Sequence, residues 1–336
     1  MTPKERVMNR LKGHPVDKIP NLNIVMTFAA KYAGVPYGKF CSDYKALVAA
    51  QEKTAVDFGL DILSTMSDPY RETSDYGANV QFQEDDLPVC EGAFLTGPEE
   101  LAKLKRWDPL TSTRMLDRIR AIELFKENWG EQYPILGWIE GPWAEFNDLV
   151  TLNEGLMMLY DEPEFAMDAM EIITEQAIDC AKAQIAAGAD IIGMGDAPAS
   201  IINREQYCEF VVPFEKRIIQ AIHEVGGKVK LHICGNINHI LEDIVETGAD
   251  IVDIDFMVDY KKAVEVSQGK CSINGNINPV EVILQGTTDE VRELTRLCVD
   301  SGNAMSFISG GCEVPKMTPI DNLKAVDLEL QSLSSN

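Results

Sequence analysis

A histidine and two cysteines are the residues of this chain whose types and positions suggest chemistry. His232 and Cys234 end a short apolar run, and on an extended strand residues two apart point to the same face. Cys312 follows Gly310 and Gly311 after another apolar run, where glycines let the backbone bend inward, and is the candidate third ligand. Zinc binds imidazole and thiolate and keeps an open position in three-ligand catalytic sites. We therefore predict a zinc site, the alternative being a buried cysteine beside a hydrogen-bonded histidine.

This ligand set favours sulfur chemistry. A zinc ion with two thiolates and one imidazole is electron-rich, and it lowers the pKa of a bound substrate thiol enough to keep that thiol nucleophilic at neutral pH. Sites with three imidazoles, or with two imidazoles and a carboxylate, more often activate water. We therefore expect alkyl transfer ahead of hydrolysis.

Composition and charge narrow the class of protein. The 336 residues are 45% hydrophobic with a net charge of −24, which disfavours nucleic acid because phosphate binding needs a basic surface. No run approaches the roughly 20 apolar residues of a membrane span, and no apolar signal region follows the charged N-terminus. We expect a cytoplasmic protein without membrane contact, in which the eight cysteines are thiols. The oligomeric state stays open, with a homodimer as one option.

Eight short apolar runs alternate with longer amphipathic segments along the chain. The runs are 19–26, 61–66, 134–139, 190–194, 228–233, 250–254, 271–275 and 305–308. Such alternation is typical of parallel βα units. About eight units over more than ~250 residues predict a single-domain (β/α)8 TIM barrel over residues 1–336. Residues 68–98 do not fit the alternation, and we interpret them as a hairpin inserted after the second strand, over the barrel mouth.

The carboxyl ends of the strands should build the site, as they do in such barrels. We predict catalytic roles there for Glu140, Asp253 and Asp255, one aspartate being a fourth ligand or a partner of His232. The residues that we predict to bind a cofactor are Asp196, Asn274, Asn276 and Trp143. Backbone capping in tight turns or at helix starts is the alternative for Glu140, Asp196 and the two asparagines.

These segments together resemble the uroporphyrinogen decarboxylase superfamily over nearly the whole chain. The matching stretches are 2–6, 17–20, 140–142, 187–190, 231–235, 274–277, 311–312 and 317–323. Within the superfamily the chain is similar to the methyltransferases that act on protein-bound methylcobalamin. In that branch a His-x-Cys pair and a late cysteine hold a catalytic zinc, which here implies His232, Cys234 and Cys312.

The resemblance implies a zinc-dependent methyltransferase. The methyl group would move between a corrinoid (cobalamin) and a small molecule, which is either a thiol acceptor such as coenzyme M or a donor such as a methoxylated or methylamine compound. The chain contains no Asp-x-His-x-x-Gly corrinoid-binding signature, so a separate corrinoid-binding protein would bring the cobalamin. Trp143, Phe146 and the 68–98 insertion are the predicted docking surface for that protein.

Two other functions remain as alternatives. Uroporphyrinogen decarboxylases need no metal and carry an arginine-rich N-terminal motif for the substrate's propionates, whereas residues 26–34 here contain no arginine. Their substrate with eight carboxylates would also face a net charge of −24. The second alternative is a non-catalytic, zinc-containing partner of a corrinoid protein.

Overall fold

The computed structural model describes residues 1–334, and its centre is a curled parallel sheet. The strands are β1 (Leu63–Ser64), β2 (Val80–Gln81), β3 (Val89–Cys90), β4 (Ile135–Glu140), β5 (Ile191–Gly195), β6 (Lys228–His232), β7 (Ile251–Asp253), β8 (Ser272–Ile277) and β9 (Phe307–Gly310). β1 and β4 to β9 form the parallel sheet in that order, while β2 and β3 form a separate antiparallel hairpin. The predicted barrel and its inserted hairpin are therefore confirmed.

Helices surround the sheet. They are α1 (Pro3–Arg10), α2 (Thr27–Ala33), α3 (Tyr37–Ser42), α4 (Tyr44–Phe58), α5 (Arg71–Asp75), α6 (Arg114–Trp129), α7 (Pro142–Val150), α8 (Leu152–Asp161), α9 (Pro163–Ala187), α10 (Arg204–Gln206), α11 (Val212–Glu224), α12 (Leu241–Val245), α13 (Tyr260–Ser267), α14 (Thr288–Ser301) and α15 (Ile320–Ser334). Pro98–Lys103 and Ala197–Ile201 form 3-10 turns, and Tyr207–Val211 and Pro279–Leu284 form π-helical turns. Within residues 1–334, no helix has both the length and the apolar character needed to cross a bilayer.

The predicted first strand, 19–26, is only a short bridge in the structure. Asn21 pairs in parallel with Ile308 of β9, and its carbonyl accepts a hydrogen bond of 2.9 Å from the backbone N–H of Asp61, just before β1. The segment therefore lies between the two edge strands and takes the place of an eighth strand. Pro20 has no N–H for a ladder, and the chain turns into α2 at Thr27, so the extended stretch is brief.

The amino-terminal half of the barrel interior is a separate apolar cluster. It is built from Leu22, Ile62, Leu136, Trp138, Ile191, Ile251 and Phe307, with Val7 of α1 packed against them. This filled interior leaves only the carboxyl ends of the strands for chemistry.

The insertion is held in place at its start and at the tip of its hairpin. At its start, Asp68 is fully enclosed and forms a 2.7 Å ion pair with Arg114 of α6. At the tip of the hairpin, the carbonyl of Glu84 accepts a hydrogen bond from the N–H of Gly38 in α3, and Asp85 pairs with Lys316 at 2.9 Å. The hairpin thus spans from α3 to the loop that follows β9, on the carboxyl-end face of the sheet.

Candidate metal centre at the barrel mouth

The register of five adjoining strands places four polar side chains and one glycine in one layer. Glu140, Gly195, His232, Asp253 and Asn274 pair in succession from β4 to β8. Residues in register lie on the same side of a sheet, and here all five sit at or near the carboxyl ends of their strands. The layer therefore forms the floor of the barrel mouth.

His232, Cys234 and Cys312 converge beside this layer. Their ligand atoms all lie within 4.8 Å of one another, and His232 Nε2 is 3.9 Å from Cys312 Sγ. The turn before Cys312 packs closely on the loop after β7, because a Cβ at Gly311 would lie 2.5 Å from Asp255 Oδ1. Only glycine permits such close packing, which explains why position 311 is a glycine. One imidazole and two thiols in this geometry could hold a metal ion.

The three groups influence one another's protonation. The proximity of the two thiols lowers the pKa of Cys234 and raises that of Cys312. Burial acts to lower the pKa of His232, but its contacts with Asp253 and Cys312 raise it to about 9. A divalent ion would compete with these protons, since thiolate and neutral imidazole are the binding forms.

Asp253 orients the imidazole of His232. Its Oδ2 lies 2.9 Å from His232 Nδ1 and also contacts Lys230 Nζ, and its Oδ1 accepts a 2.8 Å hydrogen bond from Asn274. Burial opposes ionisation, but Lys230 and His232 lower the pKa of Asp253 to about 2. An ionised carboxylate can only accept, so His232 Nδ1 carries a proton, and Nε2 is the nitrogen that faces the cysteines and would bind a metal after losing its own proton.

Lys230 is a further residue of the site that the sequence pattern does not single out. It is buried within β6, two residues before His232 and therefore on the same face of the strand. A lysine at an alternate position of an apolar run, in phase with a candidate ligand, was the available signal.

Asp255 and Asn276 hold loops in place. The carboxylate of Asp255 accepts hydrogen bonds from the N–H groups of Gly235 at 2.9 Å and Phe256 at 2.7 Å. The amide of Asn276 donates to the carbonyls of Asp255 at 3.2 Å and Val258 at 2.6 Å. Both side chains thus shape the turns around the site, and the roles predicted for Asp255 and Asn276 stay predictions.

Glu140 reaches the layer from β4, above the ring of Trp138. Its Oε1 accepts a 2.8 Å hydrogen bond from Trp138 Nε1, and the Trp138 ring centroid lies 6.3 Å from that of His232. Burial, followed by repulsion from Glu72 and Asp148, raises the pKa of Glu140 well above its usual range. The predicted site residue therefore lies next to the candidate ligands, as a carboxyl group that resists ionisation.

Asp196 and Trp143 are enclosed in the protein interior. Asp196 accepts a 2.7 Å hydrogen bond from the N–H of Ala144 and so caps the start of α7. Trp143 stacks on Phe146 at 5.7 Å, and both rings are fully buried. Asp196, Trp143 and Phe146 therefore present no exposed surface in this structure, and the predicted cofactor contacts of Asp196 and Trp143 and the predicted docking role of Trp143 and Phe146 stay predictions.

Comparison with known proteins finds relatives over nearly the whole length of the chain. A methylcobamide:CoM methyltransferase of Methanosarcina acetivorans is 26% identical over 329 residues, which cover 96% of each protein. A methylated-thiol–coenzyme M methyltransferase of Methanosarcina mazei is 26% identical over 335 residues, covering 97% of this chain and 88% of the relative. The solved structure of a methyltransferase from Methanosarcina mazei matches with a TM-score of 0.91, at 24% identity and 99% coverage of both chains. The family model for uroporphyrinogen decarboxylase (URO-D) matches residues 2–327, and the chain therefore belongs to the URO-D family.

Proposed function

We propose that this protein is a zinc-dependent methyltransferase that moves a methyl group between a corrinoid, carried by a partner protein, and a small molecule. The observation that carries the proposal is the convergence of His232, Cys234 and Cys312 at the barrel mouth. Relatives that align over 96% of the chain are named methylcobamide:CoM methyltransferases, which supports a thiol as the small molecule.

The donor set fits zinc and the proposed chemistry. Zinc with two thiolates and one imidazole lowers the pKa of a substrate thiol and so supplies a nucleophile at neutral pH. Asp253 keeps His232 in the tautomer that presents Nε2 to the cysteines. Trp138 fills the barrel below the layer, so a substrate can approach only from the mouth. The neutral form of Glu140 avoids a further negative charge beside the two thiolates.

The inserted hairpin is the remaining part of the predicted docking surface. Phe82, Leu87 and Val89 are 42%, 39% and 48% exposed on it. Exposed apolar side chains beside an active-site mouth are suited to a protein partner. We therefore place the corrinoid protein on the hairpin side of the mouth, without contributions from Trp143 and Phe146.

The test combines metal analysis with methyl transfer. Purified protein loaded with zinc should hold about one ion per chain and should transfer the methyl group of methylcobalamin to a small thiol. Replacement Cys312→Ser should lower metal affinity by at least about tenfold, because a hydroxyl is a poorer zinc ligand than a thiolate. The substitution Cys208→Ser, at an exposed cysteine, is the matched control and should leave the metal content unchanged.

Two results would contradict the proposal. Equal metal binding by the Cys312→Ser and Cys208→Ser proteins would show that Cys312 is no ligand. A zinc-loaded, folded protein that exchanges no methyl group with free or protein-bound methylated corrinoids would favour the non-catalytic alternative.

A further inference from the structure

A cavity of about 290 Å³ lies over the barrel mouth. Tyr70 follows β1, Asp148 lies in the helix after β4, and Pro198 follows β5, so three neighbouring strand ends contribute to its wall. Cys90 and Gly92 of the inserted hairpin close it from above. The cavity therefore belongs to the same face as the candidate metal centre, on the side of Glu140.

Asp148 is the acidic residue in the wall of this cavity. Its carboxylate makes no hydrogen bond or ion pair with any residue between 1 and 334, and no lysine or arginine of that range lines the cavity. Glu140 is only 8% exposed, and its Oε2 likewise has no hydrogen-bond partner in the described part of the chain. A Cβ at Gly195 would lie 3.2 Å from this oxygen, which places it above β5, beside His232 in register.

The carboxylates between the cavity and the metal centre repel one another. After burial, Glu72 is the largest cause that raises the pKa of both Glu140 and Asp148. Arg118 lies 3.7 Å from Glu72 and is also bound to the carbonyl of Trp138, so it compensates only part of this charge. A cation in the cavity would relieve the repulsion, whereas a sulfonate, phosphate or carboxylate would add to it.

We infer that this cavity binds a small organic cation of the ammonium type, with Asp148 as its counter-ion and the ring of Tyr70 as a cation–π partner. The inference rests on the proposed function in one respect: it makes the positive group the tail of the small molecule whose other end reaches the metal centre. Binding of the cation itself requires neither the metal nor a corrinoid.

The binding test uses choline and its uncharged isostere 3,3-dimethylbutan-1-ol. Isothermal calorimetry at 0.15 M salt should show choline bound at least about tenfold more tightly, a difference of about 1.4 kcal/mol. Replacement Asp148→Asn should remove most of this preference. Since that carboxylate makes no internal hydrogen bond, the variant should keep the circular-dichroism spectrum and the melting temperature of the parent protein.

Asp168→Asn is the matched control, because Asp168 is exposed on α9 and its replacement changes the net charge by the same amount. It should bind choline as the parent protein does. Equal binding of choline and the alcohol by the parent protein would overturn the inference. So would equal weakening of choline binding by the two substitutions, because it would reveal a general attraction to an acidic surface.

A second test measures how the charge on the tail of the thiol substrate affects kcat/KM. The thiols 2-aminoethanethiol and 2-mercaptoethanesulfonate have the same chain length and opposite tail charges. The ratio of kcat/KM for 2-aminoethanethiol to kcat/KM for 2-mercaptoethanesulfonate should fall at least about tenfold in Asp148→Asn. Taking this ratio cancels differences in overall activity between the variants. An unchanged ratio with active enzyme would refute the cation site and leave the methyltransferase proposal standing. Choline binding without any methyl transfer would support the cation site and contradict the methyltransferase proposal.

Discussion

At the scale of single residues, the carboxylate of Asp253 connects the candidate ligand His232 to the polar interior of the barrel. One oxygen meets both Lys230 and His232, and the other receives the amide of Asn274. Lys230 balances the charge of Asp253 in a place without solvent, which keeps the carboxylate an acceptor. The orientation of His232 therefore depends on residues that would never touch the metal.

The replacement Asp253→Asn tests this dependence. An amide is a weaker acceptor than a carboxylate and no longer compensates Lys230, so we expect zinc affinity to fall by about 10- to 100-fold. Competition with a chromophoric chelator measures the affinity, and Asp168→Asn serves as the charge-matched control. Unchanged zinc affinity in Asp253→Asn would show that the carboxylate does not position the ligand.

At the scale of elements, the contact between β4 and β5 shapes the floor of the mouth. The ring of Trp138 on β4 lies directly over β5, where a Cβ at Gly193 would be 2.2 Å from the ring. The same ring donates to Glu140 and lies near His232. Gly193 on β5 thus leaves room for the indole ring of Trp138 on the neighbouring strand, β4.

We expect Gly193→Ala to destabilise the protein by about 1–3 kcal/mol, because the added methyl group forces the ring or the strand to move. Urea unfolding gives the free energy. In the Gly193→Ala background, Trp138→Phe should recover part of the loss, since the smaller ring leaves room for the methyl group. Additive losses in this double-mutant cycle would indicate that the two residues do not conflict.

At the scale of the whole molecule, buried ion pairs fix the insertion to the outer helices. Burial raises the pKa of Asp68, but Arg114 and Arg71 more than offset it and lower the pKa to about 2. Because this value lies below the ordinary aspartate pKa, the pair stabilises the folded state above about pH 4. The contribution is lost as the pH falls towards 2.

The pH dependence of stability is therefore predicted to change in Asp68→Asn. From the pKa difference, Asp68 should account for about 2 kcal/mol of the loss between pH 4 and pH 2. The variant should be less stable at neutral pH, where an unpaired Arg114 costs about 3–5 kcal/mol, and it should show a shallower decline in acid. Urea unfolding from pH 5 downward measures both effects. An identical slope in the two proteins would contradict the assignment.

Much of the fold and part of the site could be predicted because the signals are local. Alternation with a period of two puts His232 and Cys234 on one face of a strand, and the succession of apolar runs and amphipathic segments predicts a barrel. The predicted first strand, 19–26, is longer than the one in the structure, because Pro20 and the early start of α2 limit its pairing to Asn21.

By itself, the sequence determined which residues could bind a metal and which end of the strands would present them. Only the tertiary structure decided that Cys312 meets the other two candidate ligands, that Lys230 and Asp253 support His232, and that Trp143 is buried. The physical reason is that strand periodicity acts between neighbours in the chain. Side-chain convergence and burial, in contrast, depend on the register of strands far apart in sequence.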